Sequence, residues 1–460
     1  NTHERSAAFV GVGTYSWKRR YSITGTYRYE GTNRMGKSRS ARWMPTWNVS
    51  GAWNVHEESW FNKLQPALSN LTFKLSYSLT ADRGPSSVPP SRVVIMAENP
   101  WRPSAGDNES SLYIAQLANN ELTYEQKHEL NFGIDAGFLH NRINFTFDIY
   151  SRRNYDLIGV INTLGTGGEP RKYGNVAKMK SNGVEIALNT VNIKTKDFTW
   201  TTDLIYSHMH NEVTELNTLN RMYDYISGSG FTMPGYPQRS LFSIPFMGLN
   251  NEGLPTFLDQ DGNVSVTGIN MQEYDPEKLK FLKYEGPTDP TDVGSLGNVF
   301  RYKGVTLNLF ITYSFGNVVR LDPVFSSSYS DLTATPKEFK DRWVKPGDEN
   351  FTNVPVIASK QQLNNIAFLS RAYQAYNYST ERVAKGDFIR MKEISLAYEF
   401  PKSITQPLRL SNLSLKLMAT NLFLIYADKK LNGQDPEFFN AGGVANPMPK
   451  QFTLTLKLGI

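Results

Sequence analysis

The sequence predicts an all-β protein, a transmembrane antiparallel β-barrel of which about thirteen strands lie in this chain. Three observations lead to this prediction. Several segments alternate apolar and polar residues over nine or more positions. They reach the roughly 9 to 11 residues that a tilted strand needs to cross a bilayer. The links between them alternate between short and long, as the turns and loops of an outer-membrane barrel do.

Composition narrows the class of protein. The 460 residues include no Cys, which removes any disulfide framework or thiolate metal site. The net charge of +6 is spread thinly and forms no long basic block, so we expect no binding of nucleic acid. Mean hydropathy is −0.43 and no stretch approaches the roughly 18 unbroken apolar residues of a membrane-spanning helix. A transmembrane barrel passes this test because only alternate strand residues face lipid.

The segment 71–80 shows the alternation most cleanly. Its two faces are Leu71, Phe73, Leu75, Tyr77 and Leu79 against Thr72, Lys74, Ser76, Ser78 and Thr80. Because successive side chains of a strand point to opposite sides, we expect the Leu71 face in lipid and the Lys74 face toward the lumen.

The same pattern predicts thirteen strands, with bounds good to roughly three residues. They lie near 6–17, 20–31, 43–56, 69–82, 124–138, 141–154, 175–190, 197–212, 295–302, 304–316, 386–400, 411–425 and 450–460. A soluble β-sandwich would also alternate, but its strands are typically about 5 to 6 residues long. Aromatic residues gather near the strand ends, as at Trp43 and Trp53, which is typical of interfacial girdles.

The links give an orientation. Links after odd-numbered strands are short or medium, and long links follow the even ones at 32–42, 83–123, 155–174, 213–294, 317–385 and 426–449. Periplasmic turns are short, so the first strand should descend and the thirteenth should end in the periplasm. An odd number of strands cannot close such a barrel. We therefore expect residues 1–460 to be the C-terminal part of a barrel of about 22 strands with a plug, starting at the tenth strand. The plug, the first strands and any export signal would then be encoded upstream.

Several phrases occur in an order that resembles the SusC/RagA family of TonB-dependent outer-membrane transporters of Bacteroidetes. They are Arg20-Tyr21 with Arg28, Glu30, Gly31 and Thr32; Trp53 to Trp60 with Glu57 and Glu58; 125–135; Asn182-Gly183-Val184-Glu185; Trp343 with Pro346-Gly347-Asp348; 388–401; Asn421-Leu422-Phe423; and Asp435-Pro436-Glu437. The family has Asp and Ser where this chain has Glu30 and Thr32. Together the phrases span nearly the whole chain.

The resemblance implies active import of a nutrient oligomer across the outer membrane of a Gram-negative bacterium. It also implies coupling to a TonB-ExbB-ExbD complex through the missing N-terminal region and a SusD-like surface lipoprotein as a lid. Glycan is favoured over oligopeptide as the substrate because it is the commoner cargo of the family. A passive porin, a receptor or adhesin barrel and a secreted β-rich carbohydrate-binding protein remain alternatives.

The sequence contains no recognisable catalytic constellation, so we expect neither an enzyme nor a bound cofactor or metal. The six His residues show no HExxH spacing. The segment 259–263 resembles the start of a calcium loop but lacks the Glu expected at position twelve, and its Asp-Gly step favours a hairpin turn.

The long loops carry many aromatic residues. These candidates for contact with substrate or partner are Trp101, Tyr223, Tyr225, Phe231, Tyr236, Tyr329, Tyr373, Tyr376, Phe438 and Phe439. Sugar rings and apolar peptide side chains both pack on aromatic faces in concave pockets. Packing of the loops on one another is the alternative for each of these residues.

Overall fold

The computed structural model describes residues 4–65, 67–84, 93–98, 111–162, 171–218, 220–227, 230–325, 337–437 and 449–459. Contacts divide the chain into two compact units. Unit 1 comprises Asn1–Thr190, Met209–Leu219 and Pro234–Tyr236, and unit 2 comprises Val191–His208, Asn220–Met233 and Pro237–Ile460. In the described ranges, no helix is long and apolar enough to cross a membrane.

Strands dominate both units. In chain order they are β1 Ser6–Trp17, β2 Tyr21–Thr32, β3 Trp43–Asn54, β4 Leu68–Asp82, β5 Val94–Glu98, β6 Ser111–Gln116, β7 Glu125–Phe138, β8 Ile143–Asn162, β9 Arg171–Lys194, β10 Phe198–Leu216, β11 Ser240–Ser243, β12 Phe246–Leu249, β13 Pro255–Leu258, β14 Val264–Ser265, β15 Lys283–Pro287, β16 Asp292–Tyr302, β17 Val305–Phe315, β18 Val318–Arg320, β19 Val383–Lys385, β20 Phe388–Glu399, β21 Asn412–Ala427 and β22 Gln451–Gly459.

Helices are short and lie in the links. The α-helices are α1 Arg39–Arg42, α2 Met222–Ile226, α3 Lys360–Asn365, α4 Leu369–Asn377 and α5 Lys402–Thr405. The 3-10 turns are Val55–Glu57, Phe61–Leu64, Lys337–Asp341, Asp348–Asn350, Thr380–Arg382 and Lys429–Leu431.

Thirteen of the strands form one antiparallel sheet in the order β1-β2-β3-β4-β7-β8-β9-β10-β16-β17-β20-β21-β22. Each sheet strand pairs with the next one along the chain, and these are the thirteen strands that the alternation predicts. The all-β prediction is thus confirmed. The predicted end of the sixth strand at 154 is wrong, because β8 continues to Asn162 past a register shift between Asn154 and Leu157. Asp156 lies in that shift with a φ of 57°.

Side chains of one kind line up across neighbouring strands of the sheet. In unit 1, one row of directly paired residues is Tyr15, Ile23, Gly51, Leu75, Phe132, Ile149 and Val184. The adjacent row on the other face is Ser16, Ser22, Ala52, Lys74, Gly133, Asp148 and Glu185. The first row is apolar yet exposed, with 54% of Leu75 accessible, which suits a face that contacts lipid.

Unit 2 repeats the arrangement. Its apolar row is Trp200, Phe300, Leu307, Leu396, Leu417 and Leu454. On the opposite face, Glu393 accepts a hydrogen bond from Asn308 Nδ2 at 3.1 Å and faces Lys416 Nζ at 3.8 Å. Charged side chains on this face therefore find partners on neighbouring strands.

The short links are tight turns. Lys18 and Arg19 have φ values of 51° and 59°, and Arg20 N donates to Trp17 O at 3.0 Å. Positive φ at both central residues is the twist that a two-residue hairpin needs, although neither residue is Asn or Gly. The predicted short connection after the first strand is thus confirmed.

Glu58 connects two of the phrases that carry the family resemblance. It accepts hydrogen bonds from Tyr21 Oη at 2.7 Å and Trp53 Nε1 at 3.3 Å, and it pairs with Arg20 Nη1 at 3.2 Å. Donation from the Tyr21 hydroxyl lowers the pKa of the Glu58 carboxyl, so the group is a carboxylate at neutral pH. The link after β3 is thereby fixed to the first hairpin.

Arg390 connects two other phrases of the family resemblance. Its Nη2 lies 2.5 Å from Asp435 Oδ1 and 3.2 Å from Glu437 Oε2, and the Arg390 and Asp435 side chains are almost fully buried. Residues 388–401 and 435–437 thus meet because two carboxylates from the last long link hold an arginine of β20. A buried guanidinium needs such partners.

Candidate functional site

The two longest links fold together into one core within unit 2. The core contains Met222, Ile226, Ile244, Leu254, Phe257, Ile269, Met271 and Leu279 from the first link, and Val324, Phe325, Phe339, Leu369, Ala372, Tyr373, Ala375 and Tyr376 from the second. Phe257 and Tyr376 are 0% exposed. We call this part the loop core. The sequence prediction of long extracellular loops did not include its internal strands and helices.

Backbone bonds join the two links directly. Ile244 N donates to Tyr378 O at 3.0 Å, and Thr380 N donates to Ile244 O at 3.0 Å. Because Ile244 is fully buried, separating the links would leave its backbone donor and acceptor unpaired. The two links therefore behave as one folded element.

Arg320 of β18 strengthens the same junction. Its Nη2 donates to Phe242 O at 2.6 Å, and its Nη1 donates to Ser243 Oγ at 3.1 Å and Ser379 O at 3.2 Å. Burial lowers the pKa of Arg320 to about 10, so it remains charged at neutral pH. A partly buried cation that is hydrogen-bonded to both links fixes their relative position.

The structure places several predicted aromatic residues inside this core. Tyr373 packs on Phe325 with ring centroids 4.6 Å apart, and its hydroxyl donates to Val356 O at 2.6 Å. Tyr376 packs on the same Phe325 at 5.5 Å, and burial raises the pKa of its phenol. These two contacts correspond to the loop-packing alternative, while direct contact with substrate stays a prediction.

The remaining candidates are distributed differently. Tyr225 and Phe231 contact each other with centroids 5.1 Å apart. Tyr236 belongs to unit 1, where its carbonyl accepts from Val213 N at 2.9 Å. Trp101, Tyr329, Phe438 and Phe439 lie outside the described residues.

Tyr223 lines a pocket of about 290 Å³ on the loop core. The lining residues are Arg221, Tyr223, Asn270, Met271, Gln272, Arg371 and Gln374. The Tyr223 hydroxyl lies 3.3 Å from that of Tyr378, and Tyr223 N donates to Met271 O at 3.0 Å. The pocket thus gathers polar side chains from both long links around one of the predicted aromatic residues.

Sequence reasoning missed the polar lining because it searched the links for aromatic residues alone. Leu369, Ala372, Tyr373 and Tyr376 have the i, i+3, i+4, i+7 spacing of an amphipathic helix. That signal could have predicted α4. It would also have placed Arg371 and Gln374 on the exposed face, as the structure does.

The described residues contain no group of His, Cys, Asp and Glu that could hold a metal ion. The predicted hairpin at 259–263 is confirmed: β13 pairs with β14, and Asp259 Oδ1 accepts from Asp261 N at 3.0 Å and Asn263 N at 2.9 Å. These bonds make the carboxylate a turn-stabilising group.

On the polar face of the sheet, ion pairs run within and between strands. Arg152 Nε donates to Glu129 Oε2 at 2.7 Å, and Lys127 Nζ lies 3.3 Å from the same oxygen. Lys74 pairs with Asp135. An antiparallel sheet with a polar face of this kind, an exposed apolar face and long folded links between alternate strands is the architecture of an outer-membrane β-barrel.

Comparison with known proteins identifies the family. A family model described as TonB dependent receptor-like, beta-barrel matches residues 1–335, and the chain belongs to this family. It is 26% identical to the TonB-dependent receptor SusC of Bacteroides thetaiotaomicron, over 100% of this chain and 44% of that protein. It is 25% identical to the TonB-dependent receptor P39 of Formosa agariphila, over 97% of this chain and 44% of that protein.

Among solved structures, the RagAB peptide transporter matches with a TM-score of 0.78 at 22% identity, covering 99% of this chain and 48% of that one. The predicted resemblance to SusC and RagA and the predicted outer-membrane location in a Gram-negative bacterium are confirmed. The chain spans less than half the length of these relatives.

Proposed function

We propose that residues 1–460 form the C-terminal part of a plugged barrel of about 22 strands that imports a nutrient oligomer with energy from a TonB-ExbB-ExbD complex. The loop core carries this proposal. A passive pore needs loops that leave its mouth open, whereas these two links are built into a folded body with a polar pocket. Binding before uptake requires such a preformed surface.

The family supports the coupling to TonB, since SusC and P39 are both TonB-dependent receptors. The activity is tested by deleting the native gene and measuring growth on single oligomers. The same measurement is made in strains with and without an intact TonB. Growth that needs both genes supports active import. Uptake that persists without TonB would instead indicate a passive barrel. An upstream coding sequence without a plug domain would contradict the 22-stranded assignment.

For the substrate we propose a glycan. An oligopeptide is the second candidate because the RagAB structure, which shares the fold, is that of a peptide transporter. The pocket lining favours the glycan: Asn270, Gln272 and Gln374 offer amide groups that match sugar hydroxyls, and Met271 is its one aliphatic residue.

We also propose a SusD-like lipoprotein that covers the loop core as a lid. The turn at 343–354 presents two exposed apolar side chains, with Phe351 91% and Val344 66% accessible. The turn itself is well fixed. Trp343 Nε1 donates to Glu349 Oε2 at 2.9 Å, and Asp348 Oδ2 accepts from Val344 N at 3.1 Å. Exposed apolar side chains on a rigid support are typical of a protein contact.

Purification from native membranes in mild detergent tests this lid. The unmodified barrel should retain a lipoprotein of comparable size, and the double variant Val344→Ser with Phe351→Ser should lose most of it. Leu408→Ser is the matched control, because Leu408 is 58% exposed in the link after β20. Recovery of the unmodified barrel without a lipoprotein would contradict the proposal. Equal retention of the lipoprotein by all three forms would contradict it as well.

A further inference from the structure

The pocket on the loop core is lined by hydrogen-bond donors. Arg221 is fixed in place by Asp224 and Gln272: Nε donates to Asp224 Oδ2 at 3.3 Å, Nη2 to Oδ1 at 3.1 Å, and Nη1 to Gln272 Oε1 at 3.2 Å. A guanidinium has five N–H groups, so about two remain for a ligand. Asp224 raises the pKa of Arg221 and balances its charge.

Arg371 supplies an unbalanced positive charge. Its guanidinium carbon lies 4.4 Å from the ring centroid of Phe368, and in the described part of the chain its side chain has no hydrogen-bond or ion-pair partner. Stacking on an aromatic ring orients the planar group and leaves its N–H edge available. Buried Ala372 and Ala375 hold α4 in place beneath it.

Two of the three amide side chains in the lining have their oxygen atoms occupied. Asn270 Oδ1 accepts from Gln272 N at 3.1 Å, and Gln272 Oε1 accepts from Arg221. Their NH₂ groups therefore remain to donate to a ligand. None of the lining residues is acidic.

We propose that this pocket binds the carboxylate of a uronic acid residue in an acidic oligosaccharide, an inference that rests on the proposed import of a glycan. A carboxylate only accepts hydrogen bonds, and it matches the fork of Arg371. The ring hydroxyls then accept from the amides of Asn270 and Gln272. A volume of about 290 Å³ suits one sugar unit, not a folded partner.

Binding measurements on the full-length protein in mild detergent test the proposal, with trigalacturonate, its carboxyl-reduced derivative, trialanine and trialanine amide as probes. The native protein should bind trigalacturonate roughly tenfold more tightly than the carboxyl-reduced form, since hydrogen bonds to charged groups are the stronger ones. Arg371→Met should bind trigalacturonate no more tightly than the carboxyl-reduced form, because the group that recognises the carboxylate is gone. Arg371→Lys should retain part of the preference.

Lys360→Met is the matched control, because Lys360 is an exposed cation of the same link that does not line the pocket. It should bind all probes as the native protein does. Arg371 is exposed, so its variants should fold. Gln374→Ala provides a second test of the pocket lining that α4 contributes.

Equal binding of the two trisaccharides, an Arg371→Met variant that keeps the preference, or tighter binding of trialanine would each overturn the proposal. These outcomes leave the import function intact if TonB-dependent growth on neutral oligomers persists. Loss of TonB dependence with the preference retained would contradict import but not the pocket.

Discussion

The sheet and the loop core place similar side chains in opposite environments. Leu75 of the sheet is 54% exposed, whereas Phe257 of the loop core is 0% exposed. The sheet turns its apolar side chains outward because lipid surrounds it, and the loop core buries them because water does. An exposed apolar side chain is therefore expected in the sheet, whereas in the loop core it would indicate a packing defect.

The two regions also differ in how contacts relate to sequence. Neighbouring sheet strands are neighbours along the chain, so pairing needs only a local turn. The loop core joins residues more than a hundred positions apart, such as Phe246 and Tyr376, whose ring centroids lie 5.5 Å apart. We therefore expect that the loop core can unfold while the sheet stays folded.

The largest expected effect separates the two regions directly. Phe257→Ala should destabilise the loop core by about 3 to 5 kcal/mol because it leaves a cavity in a fully buried position. Hydrogen exchange should then speed up throughout the two long links while the sheet stays protected. Val264→Ala, at a position 57% exposed, is the control. Simultaneous loss of protection in the sheet would show that the regions are one cooperative unit.

A substitution in the sheet tests the assignment of its faces. Leu75→Arg should cost roughly 2 to 4 kcal/mol in lipid if Leu75 lies near the bilayer midplane. Lys74→Leu should cost about 1 kcal/mol or less, because the ion pair that it removes is exposed. Unfolding by urea in lipid vesicles gives both values. A damaging Lys74→Leu with a tolerated Leu75→Arg would reverse the two faces.

A smaller effect is expected at Gly183, which pairs with Tyr150 across β8 and β9. A Cβ on Gly183 would collide with the Tyr150 ring, over which the Arg152 guanidinium carbon lies at 3.7 Å. Gly183→Ala should cost about 1 to 3 kcal/mol through this overpacking. Gly25→Ala has no atom within 4 Å of the added carbon and should show little of this effect. Equal losses in urea unfolding would indicate that loss of glycine itself is responsible.

The last prediction concerns the stability of the loop core in alkali. At neutral pH it has the smallest effect. Burial raises the pKa of Tyr378 from 10.0 to about 12. A raised pKa means that the neutral phenol is the stable folded form. Its contribution to stability is complete below pH 10 and is lost as the pH rises through 12. Trp343 fluorescence should report opening of the core in that range, and Tyr378→Phe should weaken the dependence. An unchanged pH profile in the variant would assign the opening to other groups.

The strand ends that the sequence predicts too early have a physical cause in the membrane. Strands β8 and β10 continue to Asn162 and Leu216, past their predicted ends at 154 and 212, and Glu215 in the β10 extension pairs with Lys178 at 2.6 Å. Beyond the lipid both faces of a strand meet water, so the apolar and polar alternation disappears although the hydrogen bonding continues. Period-two alternation therefore marks the membrane-spanning part of a strand and not its full length.

The sequence by itself determined the thirteen sheet strands, their antiparallel order and which side chains share a face of the sheet. Each of these follows from local alternation and link length, which need no knowledge of distant residues. Tertiary structure alone decided that the two long links share a core, that Arg320 joins them, and that Arg221 and Arg371 line one pocket. Those contacts join segments far apart in the chain, and no local period records which distant residue will fill a given space.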